Sequence, residues 1–258
     1  MKKESYMQKN EYWITQNFMT KKSLIKKIIN LSNIDREDKI IEIGTGKGHI
    51  TEELAKKSKR VFSIEIDEKL YKYSKEKLNL YKNCTLINMD FLDYKLPKEG
   101  NYKVFSNIPY SITTKIINKL TNVNNKSSDI YLVMEKGAAK RFLGQAKETR
   151  KSLIIKPFWD MEILYFFRKD DFNPKPSVES VLVHFSRKNT SDICTEEKKK
   201  YEQFINHSFK YGLYGRRRLL TKRQIQTALK FEKLDQISGN NNVKYAQFLC
   251  LFKYYNKL

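Results

Sequence analysis

An α/β fold, with a mostly parallel sheet that ends in an antiparallel hairpin and a small all-helical region after it, is what this 258-residue sequence predicts. Three observations predict it. Short Ile- and Val-rich runs alternate with stretches of helical spacing from residue 39 to about residue 135. Two more such runs follow, too close together for a crossover helix between them. Beyond Arg187 the apolar residues recur only at helical spacing.

Taken in order, Lys39-Ile40-Ile41-Glu42-Ile43 reads as the first strand, ended by glycines. Arg60 to Ile66, Cys84 to Asn88, Lys103 to Ser106 and Ile130 to Met134 are runs of the same kind, with helical stretches at Ile50 to Lys57 and Glu68 to Leu80. Short apolar runs of this sort suit strands buried on both faces, so the sheet should be mostly parallel with helices on each side. Trp159 to Phe167 and Val178 to Phe185 make the hairpin, joined by the turn-rich Asp170-Asp171-Phe172-Asn173-Pro174-Lys175-Pro176. Tyr201, Phe204, Ile205 and Phe209, then Ile225 to Leu229, then Tyr245 to Phe252 mark the later helices. Residues 1–187 are therefore expected to form one domain and 188–258 a second.

Charge narrows the partner. With 51 Lys and Arg against 29 Asp and Glu, the chain carries +22, and the region from Cys194 onward is roughly twice as basic per residue as the rest. That excess favours a polyanion, nucleic acid before an acidic membrane because no amphipathic anchor stands out. A lysine-rich composition with no such partner is the blander alternative. The apolar runs fall short of the ~20 residues of a membrane span, and Met1-Lys2-Lys3-Glu4-Ser5 leads into polar residues rather than a signal segment, so the cytoplasm is the expected location. Cys84, Cys194 and Cys250 are odd in number and scattered, as are His49, His184 and His207. Neither a disulfide framework nor a metal site is expected.

Glu42-Ile43-Gly44-Thr45-Gly46-Lys47-Gly48 follows the first strand and opens a helix. Gly44 and Gly46 permit a tight turn and let backbone N–H groups approach a ligand. The spacing is neither that of a dinucleotide fingerprint nor that of a P-loop, and alone it also suits a structural loop. Glu65, at the end of the second strand, sits where a carboxylate accepts both hydroxyls of a ribose; alone it would be a solvated cap. Asp90, past the third strand, can accept a hydrogen bond from an adenine amine. Together they describe an adenosyl pocket without a pyrophosphate groove, which S-adenosyl-L-methionine fits better than NAD.

Asn107-Ile108-Pro109-Tyr110 leaves the fourth strand at the same carboxyl edge. An exocyclic base amine is a poor nucleophile, because its lone pair is delocalised into the ring. The side-chain oxygen of Asn107 and the carbonyl of Ile108 can accept its two protons and favour a pyramidal nitrogen, by electrostatic preorganisation without a strong base. Pro109 fixes the turn, and Tyr110 gives a face on which the base stacks. As an isolated tetrapeptide the segment would be an ordinary strand-ending turn.

The ordered set Gln16-Asn17-Phe18, Glu42 to Thr51, Glu65-Ile66-Asp67, Asp90, Asn107-Ile108-Pro109-Tyr110 and Asn173-Pro174-Lys175-Pro176 resembles the rRNA adenine N6-dimethyltransferase family, over nearly the whole chain. Within it, Thr45 in place of a proline, Ile108 in place of Leu, the Gly46-Lys47-Gly48-His49 run, Val133 to Gly137 and Leu220 to Gln224 resemble the Erm branch rather than the small-subunit rRNA enzymes. Thr15, Ala138 and Asn173 depart from the branch pattern at positions where Ser, Phe and His are usual. The resemblance implies a class I, Rossmann-like S-adenosylmethionine-dependent methyltransferase. Its substrate would be one adenine of 23S rRNA, methylated twice, giving resistance to macrolides, lincosamides and streptogramin B, with no membrane partner and a monomeric state.

By the same resemblance, Asn17 and the backbone at Met19 would line the methionine end of the cofactor with Gly44 beneath it. Glu65 would hold the ribose and Asp90 the adenine amine. Phe172 would flank the extruded target base opposite Tyr110, or else serve as a hairpin anchor in the core. Lys21, Lys22, Lys136, Lys140, Arg141, Lys175 and Arg216-Arg217-Arg218 are candidates for RNA phosphates or for a solvated face. A small-subunit rRNA dimethyltransferase and a non-enzymatic RNA-binding factor on the same scaffold are the alternatives.

Overall fold

A computed structural model describes residues 17–237 and 243–258. Among these residues a seven-stranded sheet is built from β2 (Lys39–Ile43), β3 (Arg60–Glu65), β4 (Cys84–Asn88), β5 (Tyr102–Asn107), β6 (Ser127–Glu135), β7 (Trp159–Phe166) and β9 (Ser180–Arg187). Its order is β4-β3-β2-β5-β6-β9-β7. The first five run parallel, Ile40 facing Val61 on one side and Lys103 on the other, and β9 runs antiparallel to β6 with Leu132 opposite Val183. Ile40, Ile41, Val61, Val104, Phe105, Ile130 to Met134 and Val181 to Val183 are all buried. Each such side chain contributes about 1.5–3 kcal/mol relative to leaving it exposed, which is why the Ile-rich runs became central strands.

Helices α1 (Lys22–Asn30), α2 (His49–Lys57), α3 (Glu68–Lys77) and α4 (Thr113–Leu120) belong to this part. α1 buries Leu24, Ile25, Ile28 and Ile29, and α4 buries Ile116, Ile117 and Leu120, both at the spacing of one helix face. Asp67 caps α3, accepting from the Leu70 N–H at 2.6 Å.

The expected hairpin forms, because Phe167 N–H donates to Ser180 O and Lys188 N–H to Phe158 O, as in two strands of opposite direction. Its linker is not all turn. β8 (Phe172–Asn173) pairs antiparallel with β1 (Phe18–Met19), Met19 opposite Phe172, in a separate two-stranded ribbon. Two-residue strands carry no periodicity, so nothing in the sequence announced them.

The chain divides into two compact units, residues 17–139 with 161–187, and residues 140–160 with 188–258 among those described. One crossing falls after Arg187, and residues 140–160 also join the helical unit. The reason is packing. α6 (Arg150–Ile155) buries Leu153 and Ile155 beside α7 (Lys198–Tyr211), whose wholly buried Tyr201 donates its hydroxyl proton to Leu153 O at 3.1 Å. α5 (Lys136–Leu143) spans the first boundary; α8 (Lys222–Phe231) and α9 (Tyr245–Tyr255) complete the second unit, where Phe252 packs on Tyr201 and Phe204.

Candidate active site

At the carboxyl edge of the parallel strands lies a cleft lined by Asn17, Phe18, Met19, Gly44, Thr45, Gly46, Lys47, His49, Ile50, Glu65, Asn107, Ile108, Pro109 and Tyr110. Four segments far apart in sequence meet there, three of them because parallel strands deliver their ends to one edge.

The loop after β2 has left-handed backbone at Gly44 (φ +79°) and Gly46 (φ +54°). Gly46 N–H donates to Glu65 Oε2 at 2.8 Å, and Asp67 N–H donates to Oε1 at 2.9 Å. Glu65 is thereby fixed with acceptor capacity to spare, since a carboxylate takes about four hydrogen bonds. Its burial raises the carboxyl pKa above the usual range, against the lowering effect of these backbone donors. A Cβ at Gly46 would meet the Phe18 ring at 2.9 Å, whereas one at Gly44 would meet nothing within 4 Å. Space is therefore open at Gly44 and closed at Gly46.

Beneath the loop, Glu42 is completely buried. Its Oε2 accepts from Thr51 Oγ1 and Ser63 Oγ, each at 2.6 Å, and Ser63 Oγ lies 2.5 Å from Thr45 Oγ1. Burial pushes the Glu42 carboxyl up to about 8, opposed by the two hydroxyls and helped by the neighbouring Glu65. Lys77 braces the loop from outside, donating to Lys47 O at 2.8 Å and reaching His49 Nδ1 at 3.0 Å.

On the other wall, Asn107 Nδ2 donates to Asn17 O at 2.7 Å. The amide is thus oriented, with its nitrogen end tied to the chain and its oxygen left as an acceptor. Ile108 N–H donates to Val133 O at 3.2 Å, Pro109 takes φ −62° and ψ 130°, and the Tyr110 hydroxyl lies 2.6 Å from Ser180 Oγ.

Asn17, Met19, Gly44, Gly46, Glu65 and the Asn107–Tyr110 turn come together in the cleft; Gln16 and Thr15 lie outside the described residues. Two residues do not join the lining. Asp90 stands two positions beyond Asn88, the β4 partner of Glu65, with Oδ1 accepting from Leu92 N–H at 2.8 Å. Phe172 is 4% exposed and packs on Phe167 at 5.3 Å between ring centroids, so in this structure it is the core anchor rather than a wall of the cleft. The pairing of β8 with β1 seats it there, opposite the cleft-lining Met19. Phe18, Lys47, His49 and Ile50 line the cleft without having been singled out. All four stood inside quoted motifs, but nothing in spacing shows that the Lys47 ammonium lies over the Phe18 ring, 5.4 Å from its centroid.

A glycine loop without a pyrophosphate groove, a strand-end carboxylate and an Asn-x-Pro-Tyr turn on one parallel-sheet edge define a class I methyltransferase. The chain belongs to the ribosomal RNA adenine dimethylase family, whose model matches residues 7–257. It is 39% identical over 249 residues to an rRNA adenine N-6-methyltransferase of Limosilactobacillus reuteri, covering 96% of this chain and 98% of that one. A second relative of the same name, from Lysinibacillus sphaericus, is 39% identical over 93% of this chain and 95% of its own length. Among solved structures, the 23S rRNA methyltransferase ErmE matches with TM-score 0.82 at 24% identity, over 93% of this chain and 100% of that one. A dimethyladenosine transferase from Plasmodium falciparum matches with TM-score 0.72 at 21% identity, over 93% and 98%. Both structures agree in fold.

The protein is accordingly an rRNA-adenine methyltransferase that uses S-adenosyl-L-methionine. The residues present fit that cofactor: the open space at Gly44 admits a ligand against the loop backbone, and Glu65 retains acceptor capacity for a sugar. Among the described residues no helix is long and apolar enough to cross a membrane.

Proposed function

We propose that this enzyme transfers two methyl groups in succession to the N6 of one adenine in 23S rRNA, giving resistance to macrolide, lincosamide and streptogramin B antibiotics, and that it acts as a cytoplasmic monomer. The observation that carries the chemistry is the oriented amide of Asn107. With Nδ2 held by Asn17 O, its oxygen is available to accept a hydrogen bond from one N–H of the target amine, and the carbonyl of Ile108 from the other. S-adenosyl-L-methionine supplies an electrophilic methyl group when bound. Asn17, Met19, Gly44, Gly46, Glu65, Asp90 and Asn107 would hold it.

Tyr110 presents its ring to an extruded base while the Ser180 contact fixes the hydroxyl. Phosphates fall to cations outside the cleft, and the candidates are not equal. Lys21 pairs with Asp171, Lys136 with Glu179 and Lys175 with Asp170, so each must exchange a carboxylate for a phosphate. The Arg217 guanidinium lies over the Tyr211 ring, 5.5 Å from its centroid, and is pre-positioned. Choice of 23S over 16S RNA is supported by the Thr45, Ile108 and Gly46-Lys47-Gly48-His49 signatures. Primer extension on both RNAs from expressing cells tests the reading: a stop at a single 23S adenine is expected, and a stop in 16S RNA alone would overturn the choice of target.

A further inference from the structure

The turn that carries Asp90 has an unusual support. Its N–H groups are satisfied from Asp90 itself, Leu92 N–H by Oδ1 at 2.8 Å and Asp93 and Tyr94 N–H by the Asp90 carbonyl at 3.0 and 3.1 Å. Its carbonyls are satisfied by one side chain from another element. Lys119, near the end of α4, donates to Phe91 O at 2.8 Å, Leu92 O at 2.7 Å and Tyr94 O at 2.6 Å, and its ammonium lies 4.9 Å from the Phe91 ring centroid.

A lysine has three N–H donors, and here all three go to one short segment. A surface lysine is ordinarily a hydrated point charge on a flexible stem. This one is half-buried between Ile116 and Leu120, whose burial fixes the helix that presents it. The turn is thus clamped from both sides, and the only carboxylate oxygen of Asp90 not engaged by the turn is Oδ2.

We propose that Lys119 is a positioning residue that holds the Asp90 turn in place beyond the end of β4 and so sets the enzyme's preference for a 6-amino purine in its cofactor. The inference rests on the reading of Asp90 as the acceptor for the adenine amine. A 6-oxo purine presents an acceptor at that position and meets the carboxylate with repulsion, so discrimination depends on where Asp90 is held. A site built around a donor group rejects the analogue lacking it, because the buried acceptor is then left unpaired.

The test compares affinities for S-adenosylhomocysteine and its 6-oxo analogue S-inosylhomocysteine, measured by calorimetry on the full chain, with thermal melts to establish folding. Wild type is expected to prefer the adenosyl compound by at least about tenfold, as a hydrogen bond to a charged acceptor implies. Lys119→Met keeps the apolar stem over Phe91 and removes the donors; the preference should fall to within about threefold of unity, and amide exchange at Leu92, Asp93 and Tyr94 should accelerate while the central strands stay protected. Lys119→Gln, folded and read in the same way, should fall between the two. An unchanged ratio in either variant, including equal weakening of both ligands, would overturn the role of Lys119. Asp90→Asn separates the underlying reading: if that variant keeps the wild-type ratio, Asp90 does not read the base, and the proposal for Lys119 falls with it.

Discussion

The two walls of the cleft are held by different kinds of interaction. The glycine-loop wall rests on buried carboxyls: Glu65 clasps the Gly46 and Asp67 N–H groups, and Glu42 lies beneath with Thr51, Ser63 and, through Ser63, Thr45. The Asn107 wall is held by a neutral amide, a backbone bond and a hydroxyl pair. Burial raises the Glu65 carboxyl and pushes that of Glu42 up to about 8; an amide does not titrate. The glycine-loop wall, through Glu42, is therefore coupled to pH near neutrality, and the Asn107 wall is not.

The largest expected effect breaks the neutral wall. Asn107→Ala should lower methyl transfer by at least about 10²–10³-fold, the usual loss when one preorganised polar group is removed, while S-adenosylmethionine binding survives within several-fold. Near wild-type transfer by this variant would remove the amine-acceptor role.

The next effect belongs to the buried carboxyl. The Glu42 carboxyl is raised from 4.5 to about 8 in the fold. Between those values the unfolded chain has lost the proton and the folded chain keeps it. Its contribution to stability is therefore complete below about pH 4.5 and is lost as pH rises toward 8, at a slope of up to about 1.4 kcal/mol per pH unit. Glu42→Gln should flatten that part of the profile, as read by denaturant unfolding from pH 5 to pH 8. A variant profile parallel to wild type would place Glu42 outside this account.

Gly46→Ala should follow, costing about 1–2 kcal/mol for the left-handed backbone alone and adding the contact with Phe18. Gly44→Ala carries the same backbone strain without a clash, but its methyl group enters the cleft. Calorimetry on S-adenosylmethionine together with melting curves distinguishes them: Gly46→Ala should lower stability more, and Gly44→Ala should lower affinity more for a given loss of stability. The smallest effect is Tyr110→Phe. Loss of the Ser180 bond is worth about 0.5–1.5 kcal/mol, so transfer should fall only several-fold with the stacking face intact. A loss as deep as that of Asn107→Ala would assign the hydroxyl a part in the chemistry.

Much of this was legible in the residues. Strands at 39–43 and 84–88 were readable to their ends because apolar runs and turn residues both mark them. The Gly44 to Glu65 relation was readable because a parallel pair returns the second strand to the same edge. α4 and its Lys119 were not readable, since a lysine beside apolar residues on a helix is indistinguishable from a solvated one until the facing carbonyls are known. Nor was the bond from Asn107 to Asn17, which joins positions 90 residues apart.

Local pattern alone settled the alternation of strand and helix, the loop that must contain glycine, the acidic strand end and the polar turn after β5, because each is encoded by residues that are neighbours in the chain. Tertiary structure decided the rest. It sent residues 140–160 to the helical unit, placed Phe172 in the core, tied the Asn107 amide by its nitrogen, and gave one lysine to three carbonyls of the Asp90 turn. Those outcomes depend on which buried groups meet across the fold, and a buried polar atom takes the partner that geometry brings to it.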